Sequence, residues 1–257
     1  MRLTVLGSGT SFGVPVIGCA CDVCTSPDPR DRRMRVAAVV EGDAGQRILI
    51  DTPPELRLQL TGAGVETVDA VLYTHDHADH VHGIDDLRAL SVRTGRLPIY
   101  GPADTLDRLA MRFPYIFDDA IQPPQGTSAP ELERVSLEAG TEVAIAGLPV
   151  LPLAFEHGSV TVFGYRFGAA AYVTDVKAVT GEALDRLRGV RVLVLNALFE
   201  RPHPTHLSIP EAIAVARAVG AGRTLLTHLT HRTAHEALAQ RLPEGIEPAY
   251  DGLSVEF

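Results

Sequence analysis

Short apolar runs alternate with Gly- and Pro-rich turns along the chain, a pattern that predicts many strands. Strands are predicted over 2–6, 36–40, 47–50, 68–73, 97–100, 142–146, 148–155, 160–167, 170–174, 191–195, 224–227 and 253–256. Helices are predicted over about 55–60, 84–94, 105–112, 182–188, 209–219 and 233–241. Because strands come in blocks with helices interspersed in both halves, the pattern favours an α/β fold with two facing sheets covered by helices over one doubly wound parallel sheet.

Two long stretches lack this alternation. Residues 7–35 are rich in Gly, Pro, Asp and Arg, and residues 113–130 are predicted to form an irregular lid. Loops of this length are usually functional or disordered, and a bound metal could order the first of them. Nothing marks an internal linker or a repeat, so we expect residues 1–257 to form a single domain with a loop of special function at about 7–35.

Composition and charge limit the classes of partner that we expect this chain to bind. The chain is 46% hydrophobic, enough for a packed core, and its 32 acidic against 23 basic residues give a net charge of −9. Lys177 is the sole lysine. A broad basic surface for nucleic acid is therefore not expected. The uncharged run 143–155 contains prolines and is too short to span a bilayer, so we expect a cytoplasmic protein with no membrane partner.

Four metal-binding side chains occupy one turn after the apolar run 69–73. They are His75, His77, Asp79 and His80, in the sequence THDHADH. Two residues apart on extended backbone, His75 and His77 can point the same way, whereas Asp79 and His80 begin the next helix and can face a second ion. Three imidazoles and a carboxylate suit zinc, manganese or iron(II), ions that lower the pKa of bound water to about 7. The turn therefore predicts a divalent metal centre.

This pattern, His75-x-His77-x-Asp79-His80 after a buried strand, resembles that of the metallo-β-lactamase-fold hydrolases. The resemblance implies a four-layer αββα sandwich, in which two facing mixed β-sheets are flanked by helices. The family pattern continues with an isolated His, an Asp and a late His, each at the end of a strand, and it includes an early Asp. The matching residues of this chain are His157, Asp175, His228 and Asp51.

By this resemblance, two divalent ions, Mn²⁺ or Zn²⁺, share the site. The first ion would be held by His75, His77 and His157. The second would be held by Asp79, His80 and His228, with Asp175 bridging the two. Asp51 would orient a ligand or a water from behind, and a hydroxide bridging the ions would be the nucleophile.

The three cysteines, Cys19, Cys21 and Cys24, lie in the 7–35 loop. An odd and tightly clustered set is not a disulfide framework for a chain of this size, but the spacing is typical of a zinc knuckle. Three thiolates need a fourth ligand to complete a tetrahedral structural Zn²⁺ site. The best candidate is His231, because three residues after His228 it lies near the active site while facing away from it. Such a site would order the loop with metal-binding energy.

Further motifs narrow the resemblance to one subgroup. They are the stretches 6–15, 28–35, 51–57, 164–166, 174–175 and 250–252. With the cysteine cluster, they resemble the phosphoribosyl 1,2-cyclic phosphate phosphodiesterases of the carbon–phosphorus lyase pathway. That group opens a five-membered cyclic phosphodiester with manganese or zinc. The resemblance implies a small phosphate ester as substrate and a homodimer as the assembly.

The subgroup has one catalytic histidine, whereas the stretch 201–208 has two, His203 and His206. We favour His206 as the general acid that protonates the leaving alkoxide, with His203 second, because a neutral-range pKa suits this proton transfer. Asp79 is counted with them as catalytic besides being a ligand. In a competing interpretation, His206 caps the helix that begins near residue 209.

Other charged residues are given structural roles. His82 is predicted to be a non-ligand on the helix after the metal turn, and His235 a non-ligand on a solvated helix face. The arginine-rich stretch 30–35 is interpreted as a solvated or ion-paired face, although one of its guanidinium groups could contact a substrate phosphate.

These observations predict a metal-dependent hydrolase, namely a dinuclear phosphodiesterase that cleaves a small or cyclic phosphate ester through a metal-bridging hydroxide. One alternative is a tRNA 3′-processing-type endonuclease, which would need a basic RNA-binding arm. Another is a non-hydrolytic metal-binding accessory protein resembling that of pyrroloquinoline quinone biosynthesis, which shares the Gly-rich start and the cysteine knuckle. The complete set of metal ligands disfavours the accessory-protein alternative. Lactamase or thioester hydrolysis stays open, because fold does not fix function.

Overall fold

The computed structural model describes residues 1–121 and 123–257, and in these residues two mixed sheets of seven strands each face one another. The first sheet contains, in spatial order, β14 (Ser254–Glu256), β1 (Arg2–Gly7), β2 (Ala37–Glu41), β3 (Arg47–Ile50), β4 (Ala70–Leu72), β5 (Leu97–Gly101) and β6 (Leu132–Ser136). The second contains β13 (Ile246–Pro248), β12 (Arg223–Thr227), β11 (Val192–Asn196), β10 (Ala170–Val173), β9 (Val160–Phe167), β8 (Leu148–His157) and β7 (Val143–Ile145).

Each sheet is antiparallel on one side and parallel on the other. Strands β1, β2, β3 and β14 pair antiparallel, whereas β3 to β6 are parallel. Strands β7 to β10 pair antiparallel, and β10 to β13 are parallel. Parallel neighbours need long crossover connections, which are usually helical. The helices are α1 (Leu56–Gly62), α2 (Ala78–Val81), α3 (Arg88–Thr94), α4 (Ala103–Arg112), α5 (Pro114–Phe117), α6 (Gly181–Leu187), α7 (Ile209–Val219) and α8 (His235–Ala239).

The side chains of the central strands alternate between two apolar cores. In β3, Ile48 and Ile50 face the core between the sheets, where they join Tyr165 of the second sheet. Leu49 points the other way, into the core formed with α1 to α4. A third core packs α6 to α8 on the outer face of the second sheet. The layers are therefore helix, sheet, sheet and helix, which confirms the expected αββα sandwich.

Several element predictions were wrong in detail. Strands β6 and β13 were missed, because both are edge strands and are buried on one face at most. The predicted helix 84–94 begins as a 3₁₀ turn over Ile84–Leu87. The predicted irregular lid contains α5, and its residue Gln122 lies outside the described residues.

The 7–35 loop contains little regular structure but is anchored along its length. Gly9 forms bridges with Arg35 and Leu229, and Val14 forms one with Arg33. The loop therefore lies against the segment that follows β12. Among the residues described, no helix has the length and apolar character needed to cross a bilayer.

Candidate metal centre and active site

All seven predicted ligands of the active-site ions come together where strands of the two sheets end. Their ligand atoms form overlapping groups, and within each group the atoms lie no more than 4.8 Å from one another. The groups are His75, His77 and His157; Asp79, His80 and His228; His75, His80 and Asp175; and His157, Asp175 and His206. Asp175 belongs to two of these groups, as do His75, His80 and His157, so the groups overlap in one continuous cluster.

The backbone turns sharply at three of the strand ends that carry site residues. Asp51 has φ 61°, Asp175 φ 58° and His228 φ 57°, and Ala146 is the only other non-glycine residue described with positive φ. This left-handed conformation is disfavoured for residues with a Cβ, and such strain concentrates at functional sites. Asp175 and His228 nonetheless keep their side chains in the centre.

The imidazole nitrogens fit a metal centre. His157 Nδ1 donates to Thr205 O at 3.0 Å, which leaves its Nε2 lone pair available. His75 Nδ1 lies 3.0 Å from Thr74 Oγ1, whereas the buried Nε2 of His75 has no hydrogen-bond partner. The buried Nε2 atoms of His80 and His228 form no hydrogen bond of acceptable geometry, although they lie 3.3 and 3.2 Å from the carboxylate oxygens of Asp175. Because unpartnered buried polar atoms are costly, such a set suits cation ligands.

Asp51 and Thr74 fix the orientation of His80. The carboxylate of Asp51 accepts from Thr74 N and Thr74 Oγ1, both at 2.8 Å, and lies 2.7 Å from His80 Nδ1. With the Nδ1 proton held by this carboxylate, His80 presents Nε2, which lies 3.3 Å from Asp175 Oδ2. Asp51 thus lies behind His80, the position in which the resemblance expects a residue that orients a ligand; Thr74 was not predicted.

A close approach of two turns brings His80 to Asp51. Gly83 N donates to Thr52 O at 2.8 Å, and a Cβ at Gly83 would lie 2.1 Å from Pro53 O. Only glycine fits this contact, because any side chain would collide with backbone. The sequence therefore places a glycine where α2 packs against the turn after β3.

The site balances buried histidines against buried carboxylates. Burial lowers the pKa of His75 well below its usual range and that of His228 to about 4. Burial also opposes charge on His80, but neighbouring carboxylates, Asp175 first, raise its pKa well above the usual range. Burial opposes ionisation of Asp175 too, yet His228 and His80 hold its pKa well below the usual range. Neutral His75 and His228 and ionised Asp175 are the forms that bind metal ions, whereas His80, held protonated by the carboxylates, would release a proton on binding one.

The cysteine cluster forms a second candidate site with His231. The Sγ atoms of Cys19, Cys21 and Cys24 lie 3.3, 3.5 and 3.5 Å from His231 Nδ1. In a tetrahedral site with Zn–S of about 2.3 Å and Zn–N of about 2.0 Å, the S–N separation would be roughly 3.5 Å. A backbone hydrogen bond from Cys24 lowers the pKa of the Cys21 thiol to about 6, which favours its thiolate, whereas burial raises the pKa of Cys24 to about 11. The donor set and its dimensions fit structural zinc.

His206 lies in the active site and does not cap a helix. Its Nε2 is 2.9 Å from Asp175 Oδ1, and its Nδ1 is 2.8 Å from Thr205 Oγ1. Helix α7 is capped by Ser208 in a capping box with Glu211, so the competing interpretation of His206 as the cap was wrong. His203 lies one step further out, with its Nδ1 3.3 Å from His206 Nδ1.

Asp76, inside the metal-binding turn, is held by two arginines of α4. Its buried carboxylate lies 3.0 Å from Arg108 Nη1 and 2.5 Å from Arg112 Nη2, and Arg112 also donates to the Asp76 carbonyl. This contact fixes the backbone between His75 and His77. Sequence reasoning missed it, because no spacing rule links a turn to arginines more than thirty residues away.

We expect Arg112→Ala to weaken metal binding at the active site about tenfold, since outer-shell groups typically contribute 10- to 100-fold. Competition with a chromophoric chelator would measure this affinity. Arg134→Ala is the matched control, because Arg134 forms an ion pair at 3.0 Å with exposed Asp107 of the same helix. Unchanged affinity in Arg112→Ala would show that the turn holds its shape without this contact.

The remaining charged residues give one correction. His82 is exposed and belongs to none of the candidate ligand groups found among the described residues. His235 is buried, at 5% exposure, and stacks edge-on against Tyr250, so its assignment to a solvated helix face was wrong. The backbone N–H of His235, the first residue of α8, donates to the Asp31 carboxylate at 2.7 Å. The stretch 30–35 is largely ion-paired: Arg30 with Asp28, Arg33 with Asp31, and Arg35 with Glu55.

Fold and ligand arrangement together define a metallo-β-lactamase-fold protein, and residues 46–229 match the family model described as Beta-lactamase superfamily domain. The solved structure of a diphosphatase from the PhnP family is 40% identical, with a TM-score of 0.91, over 100% of this chain and 97% of that one. The chain therefore belongs to the PhnP family within the beta-lactamase superfamily, in agreement with the resemblance stated from its motifs.

Two further similar proteins match this chain in different ways, one in sequence over about half of its own length and the other in fold. An octanoyltransferase from Porphyromonas gingivalis is 39% identical over 255 residues; these are 98% of this chain but only 51% of that protein, so the chain spans about half of its length. The structure of Zn²⁺-bound PqqB from Methylobacterium extorquens has a TM-score of 0.81 over 100% of both chains. At 18% identity, this likeness shows the fold alone.

Proposed function

We propose that this protein is a metal-dependent phosphodiesterase that hydrolyses a small or cyclic phosphate ester at a dinuclear centre. The observation that carries this proposal is that seven side chains able to bind metal converge at one place. Several of their buried imidazole nitrogens form no hydrogen bond. The two ligand sets, joined by Asp175, would hold two divalent ions, Mn²⁺ or Zn²⁺. A third ion, Zn²⁺, would occupy the Cys₃His site.

When bound, such ions lower the pKa of water to about 7 and offset the charge of a phosphate group. The chain's own residues supply orientation and proton transfer. Asp51 holds the tautomer of His80, and Thr205 O holds that of His157. His206 would give a proton to the leaving oxygen as the P–O bond breaks and a hydroxide oxygen bonds to phosphorus. Asp79, at 12% side-chain exposure, borders the same centre.

A diphosphate is the second candidate substrate. The specific observation is the 40% identity, over the whole chain, to a PhnP-family diphosphatase. Cyclic diesters and diphosphates both present a phosphorus bonded to a good or strained leaving oxygen, and both place anionic oxygens against the centre. The same residues therefore serve either reaction.

The endonuclease alternative is less well supported. The sole lysine, Lys177, is paired with Glu211 at 2.8 Å, and most described arginines have carboxylate partners. A basic RNA-binding arm is thus not visible in the described part of the chain. The accessory-protein alternative would leave the complete ligand set without a hydrolytic use.

The test is metal analysis followed by a hydrolysis panel with Mn²⁺. We expect about three divalent ions per chain, and cleavage of bis-aryl phosphate together with ribosyl 1,2-cyclic phosphate or an organic diphosphate. The panel also includes 2′,3′-cyclic nucleotides, precursor tRNA and a β-lactam. A single ion per chain, or turnover of tRNA or β-lactam with no activity on the small phosphate esters, would contradict the proposal.

Cys21→Ser is expected to lower zinc content and stability while initial turnover stays near that of the wild type. If zinc loss removes about 3 kcal/mol, Tm falls by roughly 6–12 °C. Calorimetry and zinc analysis would measure these effects, with exposed Asp22→Ala as the matched control. An immediate loss of turnover in folded Cys21→Ser protein would instead mean that the knuckle shapes the catalytic pocket.

The single-domain organisation over 1–257, the cytoplasmic location and the homodimer stay predictions. Light scattering of the purified chain would measure the last of these directly.

A further inference from the structure

Arg33 is a buried arginine at the base of the 7–35 loop. Its side chain is fully enclosed, with the whole residue at 1% exposure. Its Nη1 donates to Thr230 O at 2.5 Å, and its Nη2 donates to Thr233 O at 3.0 Å and to Asp31 Oδ1 at 3.1 Å. The guanidinium therefore contacts two carbonyl groups three residues apart in one segment of chain.

That segment connects the two candidate metal sites. We call residues 229–235 the ligand strap: it follows directly on His228 of the active site and contains His231 of the Cys₃His site. Leu229 N, at its start, donates to Ser8 O at 2.9 Å, and His235 N, at its end, donates to Asp31 Oδ1 at 2.7 Å. Contacts with the 7–35 loop thus hold the strap at both ends and, through Arg33, in the middle.

The loop residues that hold the strap are themselves fixed. Asp251 accepts from Ser8 N at 2.9 Å, Ser8 Oγ at 2.8 Å and Met34 N at 2.7 Å. Arg33 exchanges two backbone hydrogen bonds with Val14, both at 2.8 Å. The stretches 28–35 and 250–252, which the proposed catalysis does not use, therefore form a rigid base under the strap.

The chemistry of the contact requires arginine. A buried ion pair such as Arg33–Asp31 is weak evidence for stability, because desolvation offsets its attraction. A planar guanidinium can donate to two carbonyl oxygens and a carboxylate at once, whereas a lysine ammonium on a flexible stem holds no such fixed fork. His228, which directly precedes the strap, has a strained φ of 57°.

We propose that Arg33 is a positioning residue that couples the two metal sites: it holds the ligand strap so that His228 and His231 both stay in ligating positions. This inference rests on the proposed function in one respect, namely that both ligand sets bind metal. Loss of the fork lets the strap shift, and both sites lose affinity together.

The test compares Arg33→Met with Arg30→Ala, a matched control in the same loop whose guanidinium pairs with Asp28 and exposed Glu236. Each full-length protein, stripped of metal, is titrated with Co²⁺. Thiolate-to-cobalt charge-transfer absorption reports the Cys₃His site, and chelator competition reports the total. We expect Arg33→Met to weaken both sites about 10- to 100-fold, Arg33→Lys to recover part of this loss, and Arg30→Ala to match the wild type.

A folded Arg33→Met protein with wild-type affinity at either site would overturn the coupling. If Arg33→Met does not fold, Arg33→Lys and Asp31→Asn carry the test, and wild-type affinity at both sites in both variants overturns it. Wild-type protein that takes up no Co²⁺ at the cysteines would instead contradict the proposed structural zinc site, whatever Arg33 does. A merely structural role would lower Tm without weakening the metal affinity of the folded protein at low temperature.

Discussion

His80→Ala is expected to abolish metal-dependent phosphodiester hydrolysis while the fold persists. His80 is fully buried; its Nδ1 lies 2.7 Å from Asp51, and its Nε2 lies 3.3 Å from Asp175 and 3.5 Å from Asp79. Without His80, the ligand set that also contains Asp79 and His228 keeps only one imidazole, that of His228. Losing an ion that contributes several kcal/mol of charge stabilisation lowers the rate about a thousandfold or more.

The measurements are the rate of bis-aryl phosphate cleavage, the metal content and the circular dichroism spectrum of the folded variant. His82→Ala is the matched control, since His82 is an exposed histidine at the end of the same short helix. We expect about one ion fewer per chain in His80→Ala and none lost in His82→Ala. Retained activity in His80→Ala would exclude the second ligand set from the chemistry.

The central strands were predictable because both of their faces are buried. The run around Ile48, Leu49 and Ile50 is apolar without interruption, since alternate residues enter different cores. The edge strands could not be predicted in this way, because at most one of their faces is buried. In β6 only Leu132 is buried, so the sequence lacks both the continuous apolar run and a clear alternation.

The candidate ligands were predictable from the spacing of the 75–80 turn together with the family resemblance, whereas the groups that hold them, apart from Asp51, were not. A purely structural role would not place histidines and aspartates together at the ends of several strands. Their order along the chain therefore indicates a metal site. Arg33 contacts Thr230 across 197 residues, and Arg112 contacts Asp76 across 36, and neither pairing leaves a periodic signal. His235 was misplaced for a related reason: its ring packs against Tyr250 and its N–H donates to Asp31, a partner 204 residues away in sequence.

The roles of His206 and His203 can be separated by leaving groups. The Nε2 of His206 lies 2.9 Å from the Asp175 carboxylate, whereas His203 lies behind it against Phe199. Burial, then His206 and Lys177, lower the pKa of His203, which leaves less of it protonated at neutral pH. We therefore expect His206→Ala to slow cleavage of an alkyl phosphodiester 10²- to 10⁴-fold, the usual contribution of a general acid, and His203→Ala to slow it far less.

With a nitrophenyl leaving group, which departs without a proton, His206→Ala should lose little activity. This difference distinguishes a proton donor from a metal ligand, because His206 also belongs to a ligand group with His157 and Asp175. A ligand would be needed equally for both substrates, and its loss would lower the metal content. Equal losses on both leaving groups with fewer bound ions would move His206 into the coordination sphere, and the search for the acid would return to His203.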